Sequence, residues 1–395
     1  MDDRTVVDFA GCVGGDIRSD IKRRDFSINA LYWDPEQPGR VHDLVDGLAD
    51  IKNSKIRAIS EEAFIEDPLR LLRAFRFAAT LSFDVTAETL KWIEAHHESI
   101  EKVAPERINT ELFAIFGSRK SSQALLLLAR AGLLEKIFPE LAQTRTVPKN
   151  AFHHLDLFDH SIETVIQTER AIESEVGTYA PHLQHELSFG ISRLAATKMA
   201  CLLHDIGKPQ TWIVTPEGKH TFIGHDGIGA EMVVALAERM HWSRPVERFV
   251  SKLVKWHLRP GQLFQQKDSV PSDKAFYRFF RKAGAEVPEL LLLALGDLGA
   301  TQGPAMAGEN SDKLRGNLIE LFDGFAVFNL ESARRERLMT GLDVMKLLGI
   351  KAGPEVGRIL AALDEAHGFK EITTRAEAER FILELGAAET GESTF

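Results

Sequence analysis

The stretch EDPLRLLRAFRFAATL, Glu66–Leu81, decides how this chain is read. Leu69, Leu72, Phe75 and Ala79 recur at helical spacing, Pro68 suits a first turn, and Asp67 stands where a cap belongs. An amphipathic helix is expected. Arg70, Arg73 and Arg76 follow at steps of three and form a strip that drifts around it.

Working outward, helices are expected at TAETLKWIEAHHESI, PERINTELFAIF and SQALLLLARAGLLEKIF, the last punctuated by Gly132 and Pro139. Upstream, to about Ala58, runs such as TVVDFAG (Thr5–Gly11) and RVHDLVDG (Arg40–Gly47) read as short strands broken by Gly, Pro and Asp. After TRTVPKN a second region, again mostly helical, extends to about Gly303, with a hairpin expected in TWIVTPEGKHTFIG, Thr211–Gly224. Near the C-terminus Gly353 and Pro354 separate two amphipathic pieces, and GAAETGESTF, Gly386–Phe395, is expected to be a loose tail. The fold class is mainly α, with a small α/β portion at the start and segments 1–58, 59–145, 146–303 and 304–395.

The 395 residues, 44% hydrophobic, suffice for more than one domain. With 48 basic against 58 acidic residues the net charge is −10, which argues against coating nucleic acid by overall attraction, so RNA contact must use local basic patches. No apolar run approaches the roughly 18 to 20 residues of a spanning helix, and MDDRTVVDF lacks the regions of a signal peptide. No membrane partner and a cytoplasmic location are therefore expected. Cys12 and Cys201 cannot build a disulfide framework, and Cys201, in MACLLHDIG, reads as a buried thiol.

Three motifs stand in order: RRDFSINALYWDP (Arg23–Pro35), DLVDGLADIKNSKIRAI (Asp43–Ile59) and FIEDPLRLLRAFRFA (Phe64–Ala78). Taken singly, Asp67 reads as a helix cap, Arg24 and Asp25 as a surface ion pair, and Asn29 as a turn residue. Taken together, through about Leu141, the motifs resemble the tRNA nucleotidyltransferase (CCA-adding) and bacterial poly(A) polymerase family. The resemblance implies that Arg24, Asp25 and Asn29 contact the ribose and phosphates of incoming CTP or ATP. It also implies that Glu66, Asp67 and Arg70 form the family's EDxxR element, whose Asp and Arg present an acceptor and a donor to the base. Arg73 and Arg76 are expected to meet phosphate or RNA.

The same resemblance implies tRNA as partner and magnesium for nucleotidyl transfer, provided a complete head holds the paired aspartates that bind two ions. This chain starts downstream of that pair, so an N-terminally truncated head is expected. Either the gene start lies too late or a separate chain supplies the missing head, and the chain alone is expected to add no nucleotides. GGDIRSD, Gly14–Asp20, imitates a phosphate-binding turn, but it leaves no room for both a helix and a metal-binding strand before the RRD motif and reads as a surface turn on the approach to it. The neck and tail of that family hold tRNA, for which GSRKSSQAL and LGIKAGPEVGR are candidates.

A second constellation comprises His160 in LFDHSIETV, His204 and Asp205 in CLLHDIGKP, His225 in FIGHDGIGAE, His257 in VKWHLRP and Asp297 in LALGDLGA. This order resembles the HD family of metal-dependent phosphohydrolases and implies six ligands for two ions, with Asp205 bridging. Asp205 and Lys208 are the catalytic candidates, Lys208 as a neutraliser of phosphate. Imidazole and carboxylate ligands suit Mn, Fe, Co, Ni or Zn better than Mg. His204 and Asp205 should end an apolar helix at Gly207, at a mouth rather than deep in a core. With these motifs the four segments become the C-terminal part of a nucleotidyltransferase head, a helical neck, an HD domain and a helical tail. Two other readings remain open: a stand-alone HD phosphohydrolase acting on cyclic phosphate, nucleotide or phosphate-ended RNA, and a noncatalytic tRNA-binding protein.

Overall fold

The computed structural model describes residues 12, 15–37, 39–148, 155–264, 271–301, 309–369 and 371–390. From the N-terminus come α1 (Ile17–Lys22), β1 (Tyr32–Trp33), β2 (Val41–His42), α2 (Gly47–Lys52), β3 (Lys55–Ile56), α3 (Glu62–Glu66), α4 (Arg70–Leu81) and β4 (Asp84–Val85). Strands β1 and β2 pair antiparallel, with Trp33 opposite Val41, and β3 pairs in parallel with β4. Next are α5 (Ala87–His96), α6 (Pro105–Gly117), α7 (Ser122–Arg130), α8 (Leu133–Ile137), α9 (Pro139–Thr144), α10 (Leu157–Ser174) and α11 (Ala180–Leu183). A short antiparallel pair, β5 (Glu186–Ser188) and β6 (Ile191–Ser192), leads into α12 (Arg193–Leu203) and α13 (Lys208–Thr211). The expected hairpin is formed by β7 (Ile213–Val214) and β8 (His220–Thr221), ahead of α14 (His225–Arg239) and α15 (Arg244–Trp256). The chain ends in α16 (Arg259–Gln262), α17 (Asp273–Ala283), α18 (Val287–Ala300), α19 (Glu309–Arg334), α20 (Gly341–Leu348), α21 (Pro354–Gly368) and α22 (Arg375–Thr390). The fold is mainly α.

Local chemistry explains where elements start and where expectation and structure differ. The TVVDFAG run lies outside the described residues. In RVHDLVDG only Val41 and His42 are strand, because the Asp43 carboxylate accepts N–H bonds from Val45, Gly47 and Leu48 at 3.1, 3.0 and 2.9 Å and turns the chain into α2. The GGDIRSD stretch does hold a helix: Asp16 accepts from Arg18 N and Ser19 N, and Ile21 is buried beneath α1. Helix α4 buries Leu72, Phe75 and Ala79 on one face, with Leu69 covered just ahead of it. Asp67 does not cap α4 as expected; it ends α3 and bonds Leu69 N at 3.2 Å. GAAETGESTF is not loose throughout, since α22 continues to Thr390 and Gly386 sits closely against the Leu348 side chain.

Two compact units divide the chain, residues 1–258 with 292–315 and residues 259–291 with 316–395. At the centre of the first, α12 packs against α6, α10 and α15, and its residues from Leu194 through Leu203 are all buried. A helix enclosed on every side carries no polar face, with one exception here. Lys198, 1% exposed, places Nζ 2.7 Å from Glu169 Oε1 on α10 and 2.7 Å from Ser118 O. Burial raises the Glu169 carboxyl, but Lys198 and the donors of Ser121 and Ser122 outweigh it and hold the group below its ordinary value. This buried ion pair ties α10 and α12 to the loop between α6 and α7.

In the second unit, Tyr277 on α17 packs against Phe328 and Phe369 at ring-centroid distances of 5.3 and 5.0 Å and donates its hydroxyl to Asp364 O at 2.9 Å. Val344, Ile359, Leu363 and Ile382 form the separate core of the last three helices.

Replacing one partner of a buried ion pair leaves an uncompensated charge. Lys198→Met should destabilise the chain by about 3–5 kcal/mol, and pairing it with Glu169→Leu should recover most of that loss in a denaturant titration. Equal losses from the single and double variants would contradict this account.

Candidate functional site

Three close approaches bring the histidine set together. Gly207 follows the HD pair, and a Cβ there would lie 2.3 Å from His225 O and 2.6 Å from Gly229 N, so only glycine lets the end of α12 meet the start of α14. Gly296 on α18 lies against α10, where a Cβ would meet Thr168 Oγ1 at 2.1 Å. That approach sets Asp297 beside His160 of α10. Helix α15 packs on both α12 and α14 and delivers His257 at its C-terminal cap.

All six expected residues converge. His160 Nε2 lies 3.1 Å from Asp297 Oδ1 and 3.7 Å from Asp205 Oδ2, and His204 Nε2 lies 3.1 Å from Asp205 Oδ2. Across the carboxylate, Asp205 Oδ1 is 3.3 Å from His225 Nε2 and 3.8 Å from His257 Nε2. Asp205 thus belongs to two triads, His160–His204–Asp205 and Asp205–His225–His257, each with ligand atoms within 4.8 Å of one another. Lys208 Nζ reaches Asp205 Oδ2 at 2.5 Å.

The donors suit metal ions. His204, His225 and His257 each direct Nδ1 at the backbone carbonyl three residues earlier, at 2.8, 2.7 and 2.7 Å, which leaves Nε2 facing the cluster. Buried His204 Nε2 and Asp205 Oδ1 have no hydrogen-bond partner within the chain, which leaves both open to an ion. Ligand atoms bound about 2.0–2.2 Å from one ion lie about 3.0–3.5 Å apart, close to the separations here. Burial opposes a charged His204, yet Asp205 and Asp297 outweigh it and push the ring up to about 10. Burial and His204 push His257 down to about 4. Burial also raises Asp205, but His204 and Lys208 hold it well below the ordinary carboxylate range.

The mouth position expected for His204 and Asp205 is not observed, for they are 0% and 1% exposed. The chain after Gly207 returns at α14, whose first turn lies against Gly207 and sets His225 over Asp205. Asp297, with a side chain 29% exposed, marks the accessible side. Cys201 is buried as expected, and burial pushes its thiol up to about 12.

The RRD and EDPLR motifs meet at a cavity of about 500 Å³. Arg24, Asp25, Asn29, Asp67, Arg70 and Arg73 line it; Glu66 and Arg76 do not. Glu66 ends the preceding helix and faces Arg23 at 3.2 Å, while the drift of the arginine strip turns Arg76 to Glu111 at 2.5 Å. Leu69, Phe77 and Arg107 also line the cavity and were not expected. Arg107 comes from α6 and pairs with Asp67 at 2.8 Å, a contact that no sequence spacing announces. Arg24 and Asp25 do not pair with each other: Arg24 bonds Asp20, and Asp25, largely buried, holds Arg73 at 2.6 Å. A second cavity of about 680 Å³ is lined in part by Ser118, Arg119 and Lys120 of GSRKSSQAL, both cations exposed. In LGIKAGPEVGR, Gly349 ends α20 at φ +66° and Pro354 opens α21.

Comparison with known proteins finds matches along most of the chain. Residues 3–57 match the family described as the poly A polymerase head domain, residues 82–144 the probable RNA and SrmB-binding site of polymerase A, and residues 157–295 the HD domain. The A-adding tRNA nucleotidyltransferase of Deinococcus radiodurans is 32% identical over 374 residues, covering 93% of this chain and 79% of that protein. The CC-adding tRNA nucleotidyltransferase of Thermus thermophilus is 31% identical over 378 residues, covering 93% and 77%. In fold the chain is similar to the Thermotoga maritima CCA-adding enzyme complexed with tRNA, with a TM-score of 0.59 at 18% identity over 93% of this chain and 74% of that one. It is also similar to the Bacillus stearothermophilus CCA-adding enzyme in complex with CTP, with a TM-score of 0.55 at 19% identity over 95% and 76%. Among the described residues no helix is long and apolar enough to cross a membrane. With two curated relatives above 30% identity along most of their length, this chain belongs to the tRNA nucleotidyltransferase family and carries an HD domain.

Proposed function

We propose that this chain works at the 3′ end of tRNA, binding CTP or ATP in the arginine-lined cavity and hydrolysing a phosphate ester at a divalent-metal centre. The observation that carries the second activity is the convergence of His160, His204, Asp205, His225, His257 and Asp297 around one shared carboxylate. We assign residues 1–58 to the C-terminal part of the head, 59–145 to the neck, 146–303 to the HD domain and 304–395 to the tail.

The family and the HD domain both imply divalent metal, and imidazole with carboxylate favours Mn, Fe, Co, Ni or Zn over Mg. When bound, such ions polarise a phosphoryl oxygen and lower the pKa of water. The chain's own groups do the rest. Asp205 offers one oxygen to each triad, and carbonyl bonds fix the rings of His204, His225 and His257. Lys208 brings a cation beside Asp205, where it can offset substrate phosphate charge, and burial of the cluster excludes bulk water.

In the cavity, Asp67 and Arg70 are suited to a base edge, and Arg24 and Arg73 to the triphosphate. Among the described residues both carboxylates of the cavity are engaged by arginine, Asp25 by Arg73 and Asp67 by Arg107. In this reading the two acids brace the arginines that meet the nucleotide, and magnesium serves nucleotidyl transfer.

The unmodified chain should hold about two equivalents of first-row divalent metal by elemental analysis. Asp205→Asn, with its helix content intact, should lose both ions and reduce phosphate-ester turnover about 100-fold or more, since even partners outside the coordination shell cost up to that much. Full turnover in that variant removes the hydrolase assignment.

Calorimetric titration with CTP tests the other site. Arg70→Ala should weaken binding about 10-fold or more through loss of a charged hydrogen bond. Absence of any CTP binding by the unmodified chain would leave the hydrolase as the better reading.

A further inference from the structure

We propose that Trp212 and His220 form a nucleobase-stacking plate beside the histidine–aspartate centre, so that this centre selects phosphate carried by a nucleotide over phosphate on a base-free alcohol. The proposal rests on the hydrolase reading above and adds the surface that would choose its substrate.

The β7–β8 hairpin is inserted between two parts of the centre: the chain leaves at Asp205 and returns at His225. The hairpin is joined to the centre at both ends. On the way out, Lys208 pairs with Asp205 at 2.5 Å and lies 5.7 Å from the Phe222 ring. On the return, the Phe222 carbonyl accepts from His225 Nδ1 at 2.7 Å. One turn of α13, about 5–6 Å along its axis, separates Lys208 from Trp212. A ribose bridges a comparable span between a phosphate and its base.

Trp212 Nε1–H donates to His220 Nδ1 at 2.9 Å, and the two ring planes differ by only 17° with centroids 5.6 Å apart. An indole N–H and an imidazole lone pair both lie in their ring planes, so this bond holds the two rings side by side and nearly parallel. Trp212 is 36% exposed, and its strand neighbours Ile213 and Val214 are 63% and 52% exposed. The indole therefore spends its hydrogen bond on holding a second ring beside it rather than on joining a core. A broad aromatic face with a phosphate-binding cation one helical turn away matches the two ends of a nucleotide, since bases stack on Trp and His faces.

The test uses the full chain loaded with manganese and two esters, the dinucleotide adenylyl-adenosine 3′-phosphate and glycerol 2-phosphate. The unmodified chain should show the lower KM for the dinucleotide. Trp212→Ala combined with His220→Ala should raise that KM about 5- to 100-fold, and with it the ratio of the two KM values, while Trp212→Phe restores most of the preference. Independently of turnover, the dinucleotide should quench the fluorescence of the unmodified chain saturably, and Trp212→Phe should abolish that component. Equal KM values for the two esters, or an unchanged ratio in the double variant, overturns the plate while leaving the hydrolase intact. Absence of turnover for both esters overturns the hydrolase. The fluorescence titration then decides alone, with quench through Trp212 supporting the plate and no quench overturning it.

Discussion

A carboxylate removed from water must be compensated, and the first unit is organised around one such group. Asp205 is 1% exposed and faces four imidazoles and the Lys208 ammonium. An isolated buried charge would cost far more than a domain's whole stability margin. Its neighbours must therefore compensate it, and the four histidines come from α10, the C-terminal cap of α12, the first turn of α14 and the C-terminal cap of α15. Assembly of this charge cluster and assembly of the helix packing are one event.

The same constraint explains the small residues at the contacts. Gly207 admits the His225 backbone to the end of α12, and Gly296 admits α10 to α18. A methyl group at either point would force apart the helices that carry the histidine–aspartate cluster. The Lys198–Glu169 pair fixes α12 to α10 from the side, so the axial position of His204 relative to His160 is held by a second buried charge. Hydrophobic burial alone tolerates sliding of one helix along another; paired charges and hydrogen bonds define a register.

The cavity between the RRD and EDPLR motifs follows a different electrostatic plan. Its arginines are braced by carboxylates: Arg24 by Asp20, Arg73 by Asp25 and Glu111. The chain as a whole is acidic at −10, so positive potential comes from local concentrations of guanidinium rather than from a general field. Pairing restricts each guanidinium fork to a narrow range of directions before a ligand arrives, which lowers the ordering cost of binding.

The sequence by itself determined the helical class, the amphipathic face of α4 and the hairpin between Thr211 and Gly224, while the resemblance of ordered short motifs to the HD family implied which six side chains meet at the histidine centre. Those features are local or are written as short ordered motifs, because helix period, turn residues and ligand chemistry constrain neighbouring positions directly. Tertiary structure decided what depends on distant segments. It buried His204 and Asp205 instead of leaving them at a mouth, because the chain after Gly207 folds back over them. It turned Arg76 and Glu66 out of the arginine-lined cavity and brought in Arg107 from 40 positions beyond Asp67. It also paired Lys198 with Glu169 in the interior, where sequence patterning alone would place an exposed lysine. Nothing in one dimension encodes such contacts, since the energy of a charge depends on which groups the fold sets around it rather than on its neighbours along the chain.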